Sequence, residues 1–311
     1  MEYDGVNQAY TMHALSLAAG LFDVLGDDKA ARRCRDRAGQ ITDCFRRRFW
    51  AGDRCVEYIH PQRGPIASHG LTDVDWIAVA SGIAGGEQIE TLWPQLRDNP
   101  DFCYQGMPTG IATEPQRYED WEVQNIDRHD VAAMGRVWYL EAWARARRGD
   151  GEGLADSLRR VAEMGRANDW YWRERYYSAK TGDLAATFVD KYCEYPANLI
   201  RIVQRFLFGV ERQFDDTLAI APTVPERYWQ EGFGQDLCWG QRRLSYRIER
   251  GRMHGTFSGG PLRLRVRLAP SERAQSARAD VSGSPLAATR RDGWTELVLP
   301  RRETECAFEV Y

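Results

Sequence analysis

The sequence predicts a mainly α fold, an (α/α) hairpin toroid followed by a small antiparallel, β-sandwich-like module. Three observations predict it. Apolar residues recur at helical spacing over the first two-thirds of the chain, the period drops to two in the last fifth, and the connections between helices alternate short and long. The 311 residues include 42 basic and 45 acidic side chains, a net charge of −3, with 43% hydrophobic and 28% charged residues. This is the profile of a folded globular chain. The near-neutral balance supplies no long-range field to gather nucleic acid or an anionic membrane surface. No run approaches the roughly 18 apolar residues of a membrane span. Seven cysteines, an odd number scattered without a Cys-x-x-Cys pair, read as free thiols, which leads to the expectation of a reducing, cytoplasmic compartment.

Residues 9–25 place Met12, Leu15, Ala19 and Phe22 on one stripe, widened by Leu21 and Leu25. After the turn Gly26-Asp27-Asp28, a second helix carries Ala31, Cys34, Ala38, Ile41 and Phe45 on one side and Arg32, Arg33, Arg35, Arg37, Arg46 and Arg47 on the other. An apolar helix followed by an amphipathic one suits an inner and an outer partner. The alternation repeats. Helix 73–82 (Val74, Trp76, Ile77, Val79) turns at Gly85-Gly86 into a more polar helix near 87–97. Helix 129–147 (Val131, Met134, Val137, Trp138, Leu140, Trp143) breaks at Gly149-Asp150-Gly151 before an amphipathic stretch with Leu154, Leu158 and Val161. A last apolar helix near 193–208 has Pro196 in its first turn, where the missing N–H costs nothing.

Inner-to-outer turns are short, whereas the outer-to-inner connections 51–72, 98–128 and 168–192 are long. Long loops in a compact domain usually carry function, and these would all emerge on one rim. They hold Trp121, Trp170, Tyr171, Trp172, Tyr176, Tyr177 and many carboxylates. Inner helices begin near 9, 73, 129 and 193, so a closed ring of six hairpins would need about 360 residues. Three hairpins and one further helix are present, which predicts an incomplete six-hairpin barrel and makes an upstream half of the same barrel the expected partner. From residue 244 the period is two: Leu262, Leu264, Val266 and Leu268 alternate with Arg263, Arg265 and Arg267. The predicted organisation is an α-hairpin region over 1–215, a linker over 216–243 and a β module over 244–311.

This organisation resembles the six-hairpin glycosidases, the (α/α)6-barrel sugar hydrolases that include trehalases, processing α-glucosidases and α-L-rhamnosidases. Three stretches carry the resemblance. Asp4-Gly5-Val6-Asn7 looks like the segment that opens an inner helix beside the sugar. Trp172-Arg173-Glu174-Arg175-Tyr176, with Thr181-Gly182 after it, looks like the Glu-x-Tyr…Thr-Gly stretch bearing the general base. Asp216-Thr217-Leu218-Ala219-Ile220-Ala221-Pro222 is similar to the passage into a C-terminal β-sandwich. The family's Asn-Gly-x-x-Trp and Phe-x-Trp patterns are missing. The resemblance implies an inverting glycoside hydrolase acting on an oligosaccharide or glycoconjugate, with this chain its C-terminal portion. A polysaccharide lyase, a sugar epimerase and a non-catalytic carbohydrate-binding toroid are the alternatives.

Glycoside cleavage needs one carboxylic acid to protonate the leaving oxygen and one carboxylate to activate water or attack the sugar. Glu174, flanked by Arg173 and Arg175 among aromatics, suits the base, and Glu194 at the start of an inner helix competes with it. Asp75 is the candidate acid and Asp73 a sugar contact, though either also suits a helix cap. Substrate contacts are expected from Trp121 and Glu122 in the acidic run 119–122, from His129 and Asp130, and from Trp170, Trp172 and Tyr176 as stacking surfaces. Trp76 on its inner helix reads as core packing or as a further substrate contact. The five histidines are isolated, so no zinc spacing exists; no metal and no cofactor are expected.

Overall fold

The computed structural model describes residues 3–104, 107–108, 117–119, 121–122, 132–133, 135–167, 169–170, 172, 175–177, 184–185, 194–268, 278–291, 294–299 and 306–311. The chain divides into two compact units: Met1–Arg148 with Asp156–Ile202, and Gly149–Ala155 with Val203–Tyr311.

In the first unit the helices follow the apolar stripes and turns except at the expected start of helix 129–147, where Ala132–Ala133 pair as a strand and the helix begins at Gly135. Helix α1 (Gly5–Leu25) starts at Asp4, whose carboxylate accepts the Asn7 amide at 3.1 Å, and stops at Gly26, which takes the left-handed φ of 75° that a residue without Cβ adopts freely. Helix α2 (Asp28–Arg48) is capped by Asp27 through the Ala30 amide at 2.9 Å and ends in Arg46, Arg47 and Arg48, cations suited to the negative end of the helix. Helix α3 (Asp73–Ser81) is buried over Val74–Ala80, and helix α4 (Gly86–Arg97) buries Leu92, Trp93 and Leu96. Helices α5 (Gly135–Arg148), α6 (Gly151–Ala167) and α7 (Glu194–Ile202) follow, the last running on into one π turn over Val203–Leu207.

α1 packs on α2 and α3, α3 on α4 and α5, and α5 on α7, so α1, α3, α5 and α7 stand in a row. The Trp138 indole of α5 donates to Ser157 Oγ of α6 at 2.7 Å. The row keeps its N-termini at one end. A Cβ at Gly5, the first residue of α1, would lie 2.6 Å from Val74 Cγ1 near the start of α3. One at Gly135, opening α5, would lie 2.9 Å from Glu194, opening α7. At the opposite end Arg147 of α5 reaches the Ser81 carbonyl closing α3 at 3.4 Å. The connection 51–72 contains an antiparallel hairpin, Tyr58–His60 with Gly64–Ile66, and Tyr3–Asp4 pairs with Tyr58 and Ile59 along its other edge.

The second unit holds two sheets. One runs in the order Ala288–Arg291, Trp294–Leu299, Leu262–Val266, Thr217–Ile220, Val210–Arg212. The other runs Phe233–Trp239, Arg242–Glu249, Arg252–Ser258, Cys306–Val310, Ala279–Val281, Ser284–Leu286. Leu262, Leu264 and Val266 are buried with Leu244, Ile248, Met253, Leu297 and Phe308 in one core, as period-two alternation requires.

Three expectations need correction. The chain is mixed α and β rather than mainly α. The segment 216–243 is not a linker: it contains the strand Thr217–Ile220, helix α8 (Glu226–Glu231) and the strand Phe233–Trp239, and the sheets of the second unit start at Val210. All four residues of Thr217–Ile220 are buried, so this strand shows a continuous run instead of alternation. The β module is also not wholly antiparallel, because Thr217–Ile220 pairs in parallel with Leu262–Val266.

Candidate functional site

The N-terminal ends of α1, α3, α5 and α7 and the hairpin 58–66 bring polar side chains together. The Gly5 amide donates to the Glu57 carbonyl at 2.9 Å, which sets Asp4, Glu57 and Asp73 in one neighbourhood. Asp73 is a partly buried carboxyl whose pKa is raised to about 7, first by loss of solvation and then by the negative charges of Glu57, Asp4 and Asp75. It therefore still holds its proton in a substantial fraction of molecules at neutral pH. Tyr10 of α1 faces the same space. Its phenol pKa is raised by burial, Tyr139 and Asp73, against the opposing pull of Arg201 and Arg136. Arg201 lies over the Tyr139 ring at 4.4 Å, and the Arg136 amide donates to Glu194 Oε2 at 3.2 Å.

Beside the carboxylates lies a second constellation. His69, 1% exposed, places Nδ1 2.6 Å from Glu57 Oε2 and Nε2 3.2 Å from Glu122. The Tyr118 ring stacks on the imidazole at 3.8 Å, and its hydroxyl donates to Glu57 Oε1 at 3.1 Å. The Tyr58 hydroxyl donates to Glu122, and so does the Glu119 amide, at 2.7 Å. Burial alone would lower the His69 pKa, but hydrogen bonding and charge from Glu57 and Glu122 outweigh it and raise it.

The predicted site residues fall in several places. Asp75 is fully buried: Oδ1 accepts the Cys55 amide at 2.7 Å and Oδ2 the Thr72 amide at 2.8 Å. Burial raises its pKa to about 6 despite these donors. Its carboxylate thus ties the chain before the hairpin to the start of α3, and Asp73 is the member of the pair that meets Glu57. Trp76 is fully buried against Phe102, a core position. Trp172 is buried on Gly165 of α6, and its indole donates to the Val161 carbonyl at 3.0 Å, so it packs the helix instead of presenting a face. Trp170 is 56% exposed and Trp121 37% exposed, the latter with the Arg63 guanidinium 4.1 Å from its ring centre and His60 against its edge. Glu122 and Glu194 sit as described above. Glu174, His129 and Asp130 lie outside the described residues. Of Tyr176 only the backbone is described, in the strand Arg175–Tyr177 paired with Ala132–Ala133.

Glu57, His69 and Tyr118 did not emerge from the sequence. His69 has partners 12 residues before and 53 after it, a separation without a local pattern. Among the described residues no three His, Cys, Asp or Glu side chains converge as a metal ion would require, and no helix is long and apolar enough to cross a membrane.

No protein-family model matches the sequence, and no curated protein is similar to it. Solved structures do share its fold. A GH78 family rhamnosidase of Bacillus sp. GL1 superposes with a TM-score of 0.53 at 15% identity over 82% of this chain and 23% of its own. An α-L-rhamnosidase from Dictyoglumus thermophilum gives 0.54 at 8% identity over 97% of this chain and 31% of its own. A sialidase gives 0.58 at 15% identity over 79% of this chain and 24% of its own. The chain thus spans about a quarter to a third of the length of these structures, and shares the fold of part of known glycoside hydrolases.

Proposed function

We propose that the chain contributes the proton-donating side of a glycoside hydrolase active site, cleaving a glycosidic bond in an oligosaccharide or glycoconjugate. The observation that carries this reading is Asp73, a carboxyl that titrates near neutrality beside Glu57 and Asp4 at the shared end of α1, α3, α5 and α7. General acid catalysis works best with a pKa near the working pH, and pairing a neutral carboxyl with ionised ones is how hydrolases divide acid and base roles. Asp73 donates its proton to the departing oxygen. Burial first, and the negative charge of Glu57 second, raise the pKa at which Asp73 gives up its proton. Glu194 or Glu174 activates water on the opposite face with inversion. The exposed face of Trp121 stacks on a sugar ring. The fold likeness to rhamnosidases and a sialidase supports a sugar substrate over the other classes.

The test is hydrolysis by the purified protein of a panel of nitrophenyl glycosides, an α-L-rhamnoside among them, with the product anomer followed by proton NMR. Release of nitrophenol with the inverted anomer formed first supports the reading. Binding of the sugars without release of nitrophenol from any member of the panel overturns it.

A further inference from the structure

The strongest unused observation is the double contact of His69. Both ring nitrogens face carboxylate oxygens, Nδ1 toward Glu57 and Nε2 toward Glu122. An ionised carboxylate only accepts, and a neutral imidazole has a single N–H, so it can satisfy one of the two. The ring is 1% exposed and the Glu122 side chain 4%, so water cannot make up the missing bond cheaply. An imidazolium, with a proton on each ring nitrogen, satisfies both contacts at once.

The contact joins two segments far apart in sequence. Glu57 leads into the hairpin 58–66, and Glu122 belongs to the segment 117–122 that displays Trp121. Tyr58 holds Glu122 from the hairpin side, Tyr118 holds Glu57 from the other, and both rings flank the imidazole, at 6.4 and 3.8 Å. The charged groups facing this junction are Glu57 and, through its charge on Glu57, Asp73; Glu119 and Glu122 on the display segment; and Arg117, whose guanidinium lies by Gly70.

We propose that His69 is a positioning residue that acts as an imidazolium latch, seating Tyr118 and Glu122 on the hairpin and holding Trp121 in place beside Glu122. Removing one ring proton takes from one carboxylate its histidine donor, leaving Glu122 only the Tyr58 hydroxyl and the Glu119 amide or Glu57 only the Tyr118 hydroxyl among the bonds described above, and the seat loosens. Trp121 then loses its seat between His60 and Arg63. The latch itself rests on the hydrogen bonds; only the use of Trp121 as a sugar platform rests on the hydrolase reading.

The test uses the whole chain labelled with 15N on its five histidine rings. At about pH 7.5, a unit above the ordinary histidine pKa, His69 is expected to show two protonated ring nitrogens while exposed histidines are neutral. The His69→Gln variant assigns the signal. In parallel, acrylamide quenching of wild-type protein minus Trp121→Phe protein isolates the Trp121 emission. That component is expected to become more quenched as pH rises past the loss of the His69 proton, and to be quenched at every pH in His69→Gln. A neutral His69 ring at about pH 7 overturns the proposal, as does Trp121 quenching that ignores both pH and the substitution. Should His69→Gln fail to fold, Glu122→Gln assigns the latch by lowering the pH at which the His69 proton is lost. An intact latch in a protein that hydrolyses no glycoside refutes the hydrolase reading and leaves the latch standing.

Discussion

The Cys55 amide donates to Asp75 Oδ1 at 2.7 Å, fastening the stretch that leads to Glu57 onto the first turn of α3. Two residues before Asp75 on the same turn, Asp73 meets the Glu57 that this bond positions. The two aspartates differ in their partners: Asp75 holds backbone amides, and Asp73 lies in the field of Glu57, Asp4 and Asp75.

Replacing Asp75 by Ala strips the carboxylate acceptors from two buried amides, those of Cys55 and Thr72. The expected loss is about 2–6 kcal/mol, from an unmet hydrogen-bonding cost of roughly 1–3 kcal/mol for each of the two groups. Asp75→Asn keeps one acceptor oxygen and should lose less than half of that. Urea denaturation of the three proteins measures the order.

Gly5 is required by space. A Cβ there would stand 2.6 Å from Val74 Cγ1 and 3.0 Å from the Glu57 carbonyl oxygen, so Gly5→Ala must push α1 away from α3. Overpacking of this kind costs roughly 1–3 kcal/mol. A lowered melting temperature is the expected result.

The pH dependence has a definite sign. Asp73, at about 7, binds its proton more tightly in the folded chain than an ordinary carboxyl at 3.8 does. The fold therefore takes up protons between those values, and this group's contribution to stability falls as pH rises from about 4 to 7. His69 works in the same direction: its contribution is complete below the ordinary 6.5 and is lost as pH climbs through its raised value. Denaturation midpoints at several pH values should decline from mildly acidic toward alkaline conditions. In Asp73→Asn the decline should be shallower, with a gain over wild type of about 1–2 kcal/mol at pH 8, at 1.36 kcal/mol per unit and discounted for partial exposure.

The tryptophans separate by role. Trp172→Phe loses the hydrogen bond to the Val161 carbonyl and should cost about 1 kcal/mol of stability with substrate KM unchanged. Trp121→Ala should leave the melting temperature alone and raise KM several-fold, by roughly the 1 kcal/mol or so of an exposed aromatic contact. Steady-state kinetics on a glycoside that the wild type hydrolyses distinguishes the two.

Much of the helical unit was legible because its signals are local. Gly26, the Gly85-Gly86 pair and the Gly149-Asp150-Gly151 break end or start helices where periodicity says they should, and Leu262–Val266 alternates as a half-buried strand must. What local signals do not carry was missed. The hairpin strands of 58–66 are three residues each, too short for a period. Thr217–Ile220 is buried on both faces and finds its parallel partner some 45 residues later, a pairing no alternation announces. At the site, Asp73 and Asp75 were recognisable as a pair, but which one is capped by backbone depends on Cys55, 20 residues away. Trp172 looked like a stacking surface until α6 supplied the Gly165 it packs against.

The most direct test of Asp73 as the proton donor is the leaving-group dependence of Asp73→Asn. Hydrolysis of a glycoside with an unactivated alcohol leaving group should fall by about 10²–10⁴-fold. A dinitrophenyl glycoside, whose leaving group needs no proton, should be cleaved at close to the wild-type rate, and the fall in wild-type activity above about pH 7 should vanish. Equal losses on both substrates, or an unchanged alkaline limb, would contradict the account.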